Sequence, residues 1–180
     1  MLLPPLEPDL VSIITPTYNR TGYLVEALAS ALHQTYAHFE IIVADDASTE
    51  DVRAVLERFH DSRIRYRRNA THLGQYGNVV AALAQVRGEF FTFLHDDDRW
   101  EPDFLAKVLP PLQQDRDITV SFSDHYVMDE HGVVNLSLTE RLTRQYGRKQ
   151  LAAGLHRPFM PCRSQKPFPG RWPVCTAAAS

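Results

Sequence analysis

Residues Phe90 to Pro102 read FFTFLHDDDRWEP: five apolar or β-favouring residues, Phe90 to Leu94, run without a spacer through His95 into Asp96, Asp97 and Asp98. A short run of this kind bounded by polar residues reads as a buried strand, and the acids then crowd its C-terminal end. Like charges so placed call for a positive partner. Two readings are open at this point. The acids hold a hard cation, or they form a solvated turn before the helix that Pro102 introduces, where acids also complement the helix dipole.

Working outward, the same punctuation repeats. Val11–Thr15 (VSIIT) is a buried-strand run, broken by PTYN at Pro16–Asn19. From Thr21, Leu24, Leu28, Ala31 and Leu32 fall at helical spacing to about Gln34. FEIIVA (Phe39–Ala44) is a second strand ending in Asp45 and Asp46. Ser48 with Asp51 then suggests a capping box for a helix carrying Val52, Val55, Leu56 and Phe59. Ile64–Arg67 alternates as a short strand, and Val79, Val80, Leu83 and Val86 mark a helix that Gly88 is expected to end. After the quoted strand come a helix with Phe104, Leu105, Val108 and Leu109, a fifth strand at Ile118–Ser123, and MDEHGVV, which reads as a hairpin turn.

Strands alternating with helices predict an α/β fold: a mainly parallel, Rossmann-like sheet flanked by helices on both faces. Ligands of such sheets bind outside the carboxyl ends of the strands, where PTYN, DDAS and HDDD would converge. Tyr18 there could stack on a base, and Asp45 or Asp46 could accept a hydrogen bond from a base imide or a ribose hydroxyl. Several carboxylates at one edge suit magnesium or manganese, which take oxygen ligands and commonly complete their shell with substrate phosphates. The bland alternatives are a packed turn aromatic for Tyr18 and a helix cap for the acids.

Composition narrows the partners. The 180 residues are 44% hydrophobic and 23% charged, with a formal net charge of -3, which gives no electrostatic case for nucleic acid. MLLPPLEPDL lacks a basic n-region, and its apolar run is cut by prolines, so neither a signal peptide nor a transmembrane segment is expected. Cys162 and Cys175 form no CxxC, and the chain contains neither GxGxxG nor GxxxxGK[ST]. Dinucleotide oxidoreductases and P-loop enzymes thereby lose their phosphate-binding loops.

VSIITPTYNR, FEIIVADDAST and NATHLGQYGNVVAALAQVRGEFFTFLHDDDRWEPDFL, in this order and spacing, resemble the nucleotide-sugar domain of family 2 glycosyltransferases with the GT-A fold, over roughly Leu10 to Val134. The resemblance implies an inverting transferase that moves a sugar from a nucleoside diphosphate sugar, UDP above all, to an acceptor hydroxyl with a divalent metal, Mn or Mg, as cofactor. By the same resemblance Pro16, Thr17, Tyr18 and Asn19 line the base pocket. Asp46 with Asp45 beside it holds the uracil or ribose, and Gly74, Asn78 and Asp96 lie along the nucleotide. Asp97 is the expected metal ligand, with Asp96 and Asp98 beside it. His95 stands where the family's DxDD pattern has its first acid. The implied partners are a donor nucleotide sugar and a glycan, lipid-linked or protein acceptor of cell-envelope polysaccharide synthesis, with residence in the cytoplasm, peripheral at the inner face of the membrane.

The general base has no place in these motifs: Asp124, Asp129, Glu130 and Glu140 are available, none in a recognisable pattern. Arg63, Arg65, Arg67 and Arg68 read as a solvated edge or as diphosphate ligands. The expected organisation is a leader at 1–9, the nucleotide-sugar domain at 10–154 and an irregular tail at 155–180. From Gly154 onward there are five of the twelve prolines and no acidic residue. With the base segment unplaced, the chain reads as a C-terminally truncated transferase. Two rivals predict different behaviour: a non-catalytic nucleotide-sugar-binding remnant binds without turnover, and a nucleotidyltransferase releases pyrophosphate from a nucleoside triphosphate.

Overall fold

A computed structural model of the chain describes residues 5–123, 125–129, 131–142, 159–163 and 174–177. Its elements run β1 (Glu7–Thr17), α1 (Thr21–Leu32), β2 (Phe39–Asp45), α2 (Val52–Glu57), β3 (Ile64–Arg68), α3 (Gly74–Leu83), β4 (Gly88–Phe93), α4 (Phe104–Gln114), β5 (Ile118–Ser123), α5 (Leu136–Leu142), β6 (Phe159–Arg163) and β7 (Val174–Ala177). The strands form one seven-stranded sheet in the order β3-β2-β1-β4-β7-β5-β6. All neighbours pair in parallel except β5 and β6. The chain steps from β1 outward to β3, then returns to the other side of β1 with β4. That reversal opens a crevice between the carboxyl ends of β1 and β4.

Burial on both faces explains the near-continuous apolar strands. Val11, Ile13, Ile41, Val43 and Phe90 pack on one face against Leu24 and Leu28 of α1, Val52 of α2 and the Leu105, Val108 and Leu109 stripe of α4. Ile14, Ile42, Ala44 and Phe91 face the other way, toward Ala82 and Leu83 of α3. Each fully buried Leu or Ile side chain contributes roughly 1.5 to 3 kcal/mol. Burial also holds α4 together through Pro110 and Pro111, which cannot supply intrahelical donors. Its buried residues Phe104, Leu105, Val108, Leu109 and Leu112 line one face, so packing outweighs local propensity.

Several boundaries differ from the sequence reading, each for a local reason. β1 starts at Glu7, inside the expected leader, and Glu7 N donates to Arg87 O at 2.8 Å. The cap of α2 is Asp51, whose carboxylate accepts from Ala54 N at 3.0 Å, whereas Ser48 donates its backbone N–H to Asp45. α3 ends at Leu83, and Gly88 opens β4 instead of ending the helix. A Cβ on Gly88 would meet Leu10 O at 2.3 Å, so close strand approach requires the glycine. MDEHGVV does turn back on itself: Met128 bridges Val134, with Gly132 at φ 76° and Asp129 Oδ1 accepting from the N–H groups of His131 and Val133. α5 was not anticipated. Within the stretch expected as an irregular tail, β6 and β7 join the sheet; FMPCR is interrupted by Pro161 and VCTA is only four residues long, so neither carries an alternation that could announce it.

Candidate functional site

The three polar clusters occupy the carboxyl edges of β1, β2 and β4. Pro16 and Thr17 belong to β1, opposite Ala44 and Asp45 of β2. Pairing of β1 with β4 ends at Ile14 and Phe93, so the missing N–H of Pro16 lies beyond that ladder. Tyr18, Asn19 and Arg20 then leave the sheet. Asn19 has φ 54° and Ala47 has φ 64°, left-handed values that cost little for asparagine and more for alanine. Cross-loop bonds hold both: Asn19 N donates to Ser48 Oγ at 3.0 Å, and Asn19 Oδ1 accepts from Thr49 N at 2.7 Å.

Asp45 and Asp46 are both buried yet differ in how they are used. Asp45 is saturated by the protein. Its Oδ1 accepts from Ser48 N at 2.8 Å, and its Oδ2 accepts from Tyr66 Oη and Arg68 Nη1, each at 2.7 Å. Burial pushes its carboxyl up, but these donors together win and hold it below the usual carboxylate range. Asp46 uses one oxygen: Oδ1 accepts from Asn69 Nδ2 at 2.6 Å and Leu73 N at 2.8 Å. Its Oδ2 is buried without a hydrogen bond, in electrostatic contact with His72 Nδ1 at 2.8 Å. Again burial is overcome, here by the Leu73 N–H, Asn69 and, when its ring is protonated, His72, and the carboxyl sits low. The His72 ring lies against Tyr18, centroids 4.1 Å apart and tilted 34°. Tyr18 is otherwise exposed.

Gly74 and Asn78 sit behind this acid. Gly74 has φ 75° at the first turn of α3 and helps hold Asp46 in its ionised form through its backbone N–H. Asn78 is buried and donates to Ala44 O at 2.7 Å, while its Oδ1 accepts from Asn69 at 3.0 Å and from Arg67 at 3.1 Å. Its side chain therefore braces Asn69 and, through it, Asp46. Arg63 and the arginines of β3 are neither a simple solvated edge nor grouped at one spot. Arg65 pairs with the buried Glu40 at 2.8 Å, Arg68 with Asp45, Arg67 with Asn69 and Asn78, and Arg63 with Asp61 at 2.7 Å.

Across the crevice, Thr17 Oγ1 donates to Asp96 Oδ2 at 2.8 Å. Arg20 Nη1 lies 2.5 Å from Asp97 Oδ2 and 3.7 Å from Asp96 Oδ1. Asp96 is buried, Asp97 exposed and Asp98 half-buried. Burial raises the carboxyls of Asp96 and Asp98, and the Asp97 charge adds to both. Among the described residues no three His, Cys, Asp or Glu groups are arranged to hold a metal, so the three acids do not form a closed cage. The donor set nonetheless suits a cation. Arg20 already stands as one on Asp97, and one or two carboxylates completed by phosphate oxygens is the ordinary magnesium or manganese arrangement. Of the base candidates, Asp129 serves its turn, and Asp124 and Glu130 lie outside the described residues. Sequence reasoning missed Arg20, Asn69 and His72 as members of the site. All three stood inside the motif runs TPTYNR and NATHLG, but nothing in the pattern singled them out.

Comparison with known proteins adds the following. The model of the family described as glycosyl transferase family 2 matches residues 12–166. The Escherichia coli protein UDP-Glc:alpha-D-GlcNAc-diphosphoundecaprenol beta-1,3-glucosyltransferase WfgD is 32% identical over 125 residues, covering 69% of this chain and 49% of WfgD. The chain spans about half the length of the curated relatives it matches first. The crystal structure of Staphylococcus aureus TarS 1-349 with UDP-GlcNAc superposes with a TM-score of 0.61 at 27% identity, covering 68% of this chain and 36% of that one. A mannosyltransferase from Pyrobaculum calidifontis, solved with GDP-Man and Mn2+, has a TM-score of 0.58 at 23% identity, covering 65% and 35%, a likeness of fold. No described helix is long and apolar enough to cross a membrane.

Proposed function

Because the chain belongs to glycosyl transferase family 2, we propose that its crevice between β1 and β4 is the donor site of a metal-dependent, inverting transferase that uses a UDP-sugar. The observation that carries this is the state of Asp46: a buried carboxylate oxygen without a hydrogen bond, beside the Tyr18 and His72 rings and at the same sheet edge as Asp97. An imide or ribose donor would supply the hydrogen bond that this oxygen lacks beside its 2.8 Å contact with His72 Nδ1. Asp45, already saturated, has the supporting role of fixing the loop from Asp46 to Ser48.

In this reading Tyr18 offers a face to the base, and Asp46 selects and orients it. Asn19 braces the two loops that carry these groups. Thr17 fixes the buried Asp96, and Asp97 is the carboxylate that would hold the divalent cation. Such a cation, when bound, supplies a Lewis acid against the charge that grows on the departing diphosphate. The acceptor attacks from the opposite face of the sugar, and its hydroxyl proton goes to a base outside the motifs named here. Relatives such as WfgD carry names that specify a diphosphoundecaprenol acceptor, which supports a lipid-linked acceptor and work at a membrane surface. The second reading is donor binding without turnover: of the base candidates, Asp129 is engaged by its own turn, and Asp124 and Glu130 lie outside the described residues.

Calorimetric titration of UDP into the chain with Mn2+, with Mg2+ and with chelator tests the proposal, alongside Asp97→Asn. Metal-dependent binding that Asp97→Asn abolishes is expected. Hydrolysis of a UDP-sugar by the same sample would then separate an active transferase from a binding remnant. Absence of UDP binding by folded protein in all three conditions would overturn the proposal, and release of pyrophosphate from a nucleoside triphosphate would replace it with the nucleotidyltransferase reading.

A further inference from the structure

We propose that Arg20 is a positioning residue for the donor's diphosphate and that, in the free protein, its guanidinium stands in for the divalent cation on Asp97. The inference rests on the donor-site reading above. Arg20 is the N-cap of α1, at the positive end of a twelve-residue helix, and it contacts Asp97 at 2.5 Å and Asp96 at 3.7 Å. It thereby bridges the loops after β1 and β4, where a diphosphate-bound cation would lie.

Other arginines at this end of the sheet are poorly suited to leave their partners. Arg68 neutralises the fully buried Asp45 and also donates to Ser48 O at 2.8 Å. Arg67 supports the buried Asn69 and Asn78. Arg99 is held by Glu26 at 3.2 Å and by Gly132 O at 3.0 Å. Releasing Arg68 would strand a buried charge, the costly way to break an ion pair. Arg20 and Asp97, with side chains 50% and 49% exposed, can separate into water at small cost.

On one carboxylate oxygen a guanidinium and a divalent cation compete, because the two positive groups repel each other. Cation binding therefore sets Arg20 free beside the cation, where two positive groups repel unless an anion joins them. A diphosphate is that anion, with oxygens for the metal and for the guanidinium fork. Metal and nucleotide should consequently bind with positive coupling, part of which passes through Arg20. Metal alone must displace the side chain without compensation.

Free Mn2+ measured by electron paramagnetic resonance, with and without UDP, tests this in wild type, Arg20→Gln and Arg20→Lys. The Gln variant should bind Mn2+ alone about two- to fivefold more tightly, the worth of an exposed ion pair. In saturating Mn2+ it should bind UDP about tenfold more weakly, the worth of a charge-assisted hydrogen bond. The Lys variant, a cation without the fork, should keep weak metal binding and lose part of the coupling; it decides the question if the Gln variant does not fold. Unchanged coupling in both variants, or weaker Mn2+ binding by Arg20→Gln without UDP, overturns the role of Arg20 while leaving wild-type binding of UDP with metal intact. Failure of the wild type to bind UDP in any condition overturns the donor-site reading and this inference with it.

Discussion

The hydroxyl of Thr17 donates to Asp96 Oδ2 at 2.8 Å, joining the carboxyl ends of β1 and β4 across the point where the strand order reverses. Asp96 is 6% exposed, and burial already raises its carboxyl. Thr17→Val keeps the shape and removes the donor, leaving a buried carboxylate short of a partner. We expect a loss of about 1 to 3 kcal/mol in urea unfolding at neutral pH. Thr17→Ser, which keeps the hydroxyl, should recover most of it. Equal losses in both variants would assign the effect to packing of the γ-methyl group.

The neighbours Asp45 and Asp46 should separate stability from binding. Asp45→Asn removes the charge that Arg68 and Tyr66 face and should cost about 1 to 3 kcal/mol of stability. Asp46→Asn keeps an acceptor for Leu73 N but alters the oxygen that lacks a hydrogen bond. UDP affinity should fall about tenfold or more in Asp46→Asn, and less in Asp45→Asn, measured by calorimetry on protein shown to be folded. The reverse order would move the base contact to Asp45.

How far the sequence could anticipate this follows from which interactions are local. Val11–Thr15, Phe39–Ala44 and Phe90–Leu94 announce themselves because central strands buried on both faces read as continuous apolar runs. PTYN, DDAS and HDDD fall at strand ends, so parallel pairing brings them together by topology alone. Which acid is saturated and which has an oxygen to spare depends instead on Tyr66, Arg68, Asn69 and His72, residues 20 to 27 positions away whose contacts only the folded chain defines. The same holds for Arg20 with Asp97, 77 positions apart. β6 and β7 escaped because runs of five and four residues, the first broken by Pro161, are too short to show a period, although their backbones complete the sheet.

Acid should unfold the protein through Glu40 together with Asp45 and Asp46. Glu40 is 3% exposed and accepts from Ser12 at 2.7 Å, from Arg65 and from Arg87. Burial alone would raise it, but those donors outweigh burial and hold the carboxyl below its ordinary value, as the donors of Asp45 and Asp46 do. A lowered folded value means that the unfolded chain binds protons first. The stability is thus fully present above the ordinary carboxylate range, near pH 4, and is lost as pH falls through the folded values. Glu40→Gln should cost about 2 to 3 kcal/mol at pH 7, toward the low end for a broken buried pair because both guanidinia reach water. It should also flatten the acid limb of the stability profile, and an unchanged limb would remove Glu40 from this account.

Gly88 offers a purely steric test. With the ideal Cβ at 2.3 Å from Leu10 O, Gly88→Ala must push β4 away from β1 at its first residue. We expect destabilisation of about 3 kcal/mol, the upper end of the usual scale of overpacking in a rigid interior. Gly22→Ala, where a Cβ meets nothing within 4 Å, should change stability little or improve it through helix propensity. Thermal unfolding of the two variants side by side distinguishes a clash from a general intolerance of alanine.

Tyr18 tests the base pocket itself. Its ring is 42% exposed and touches His72, while its neighbour Asn19 carries the bonds that brace the loops. Tyr18→Ala should therefore leave unfolding nearly unchanged and reduce UDP affinity about ten- to a hundredfold, since stacking of a base on an aromatic ring contributes roughly 1 to 3 kcal/mol. Tyr18→Phe keeps the face and should bind like the wild type. Affinity for inorganic pyrophosphate with Mn2+, which has no base to stack, should be the same in all three proteins. A drop for pyrophosphate as large as that for UDP would mean that Tyr18 acts on the loop rather than on the base.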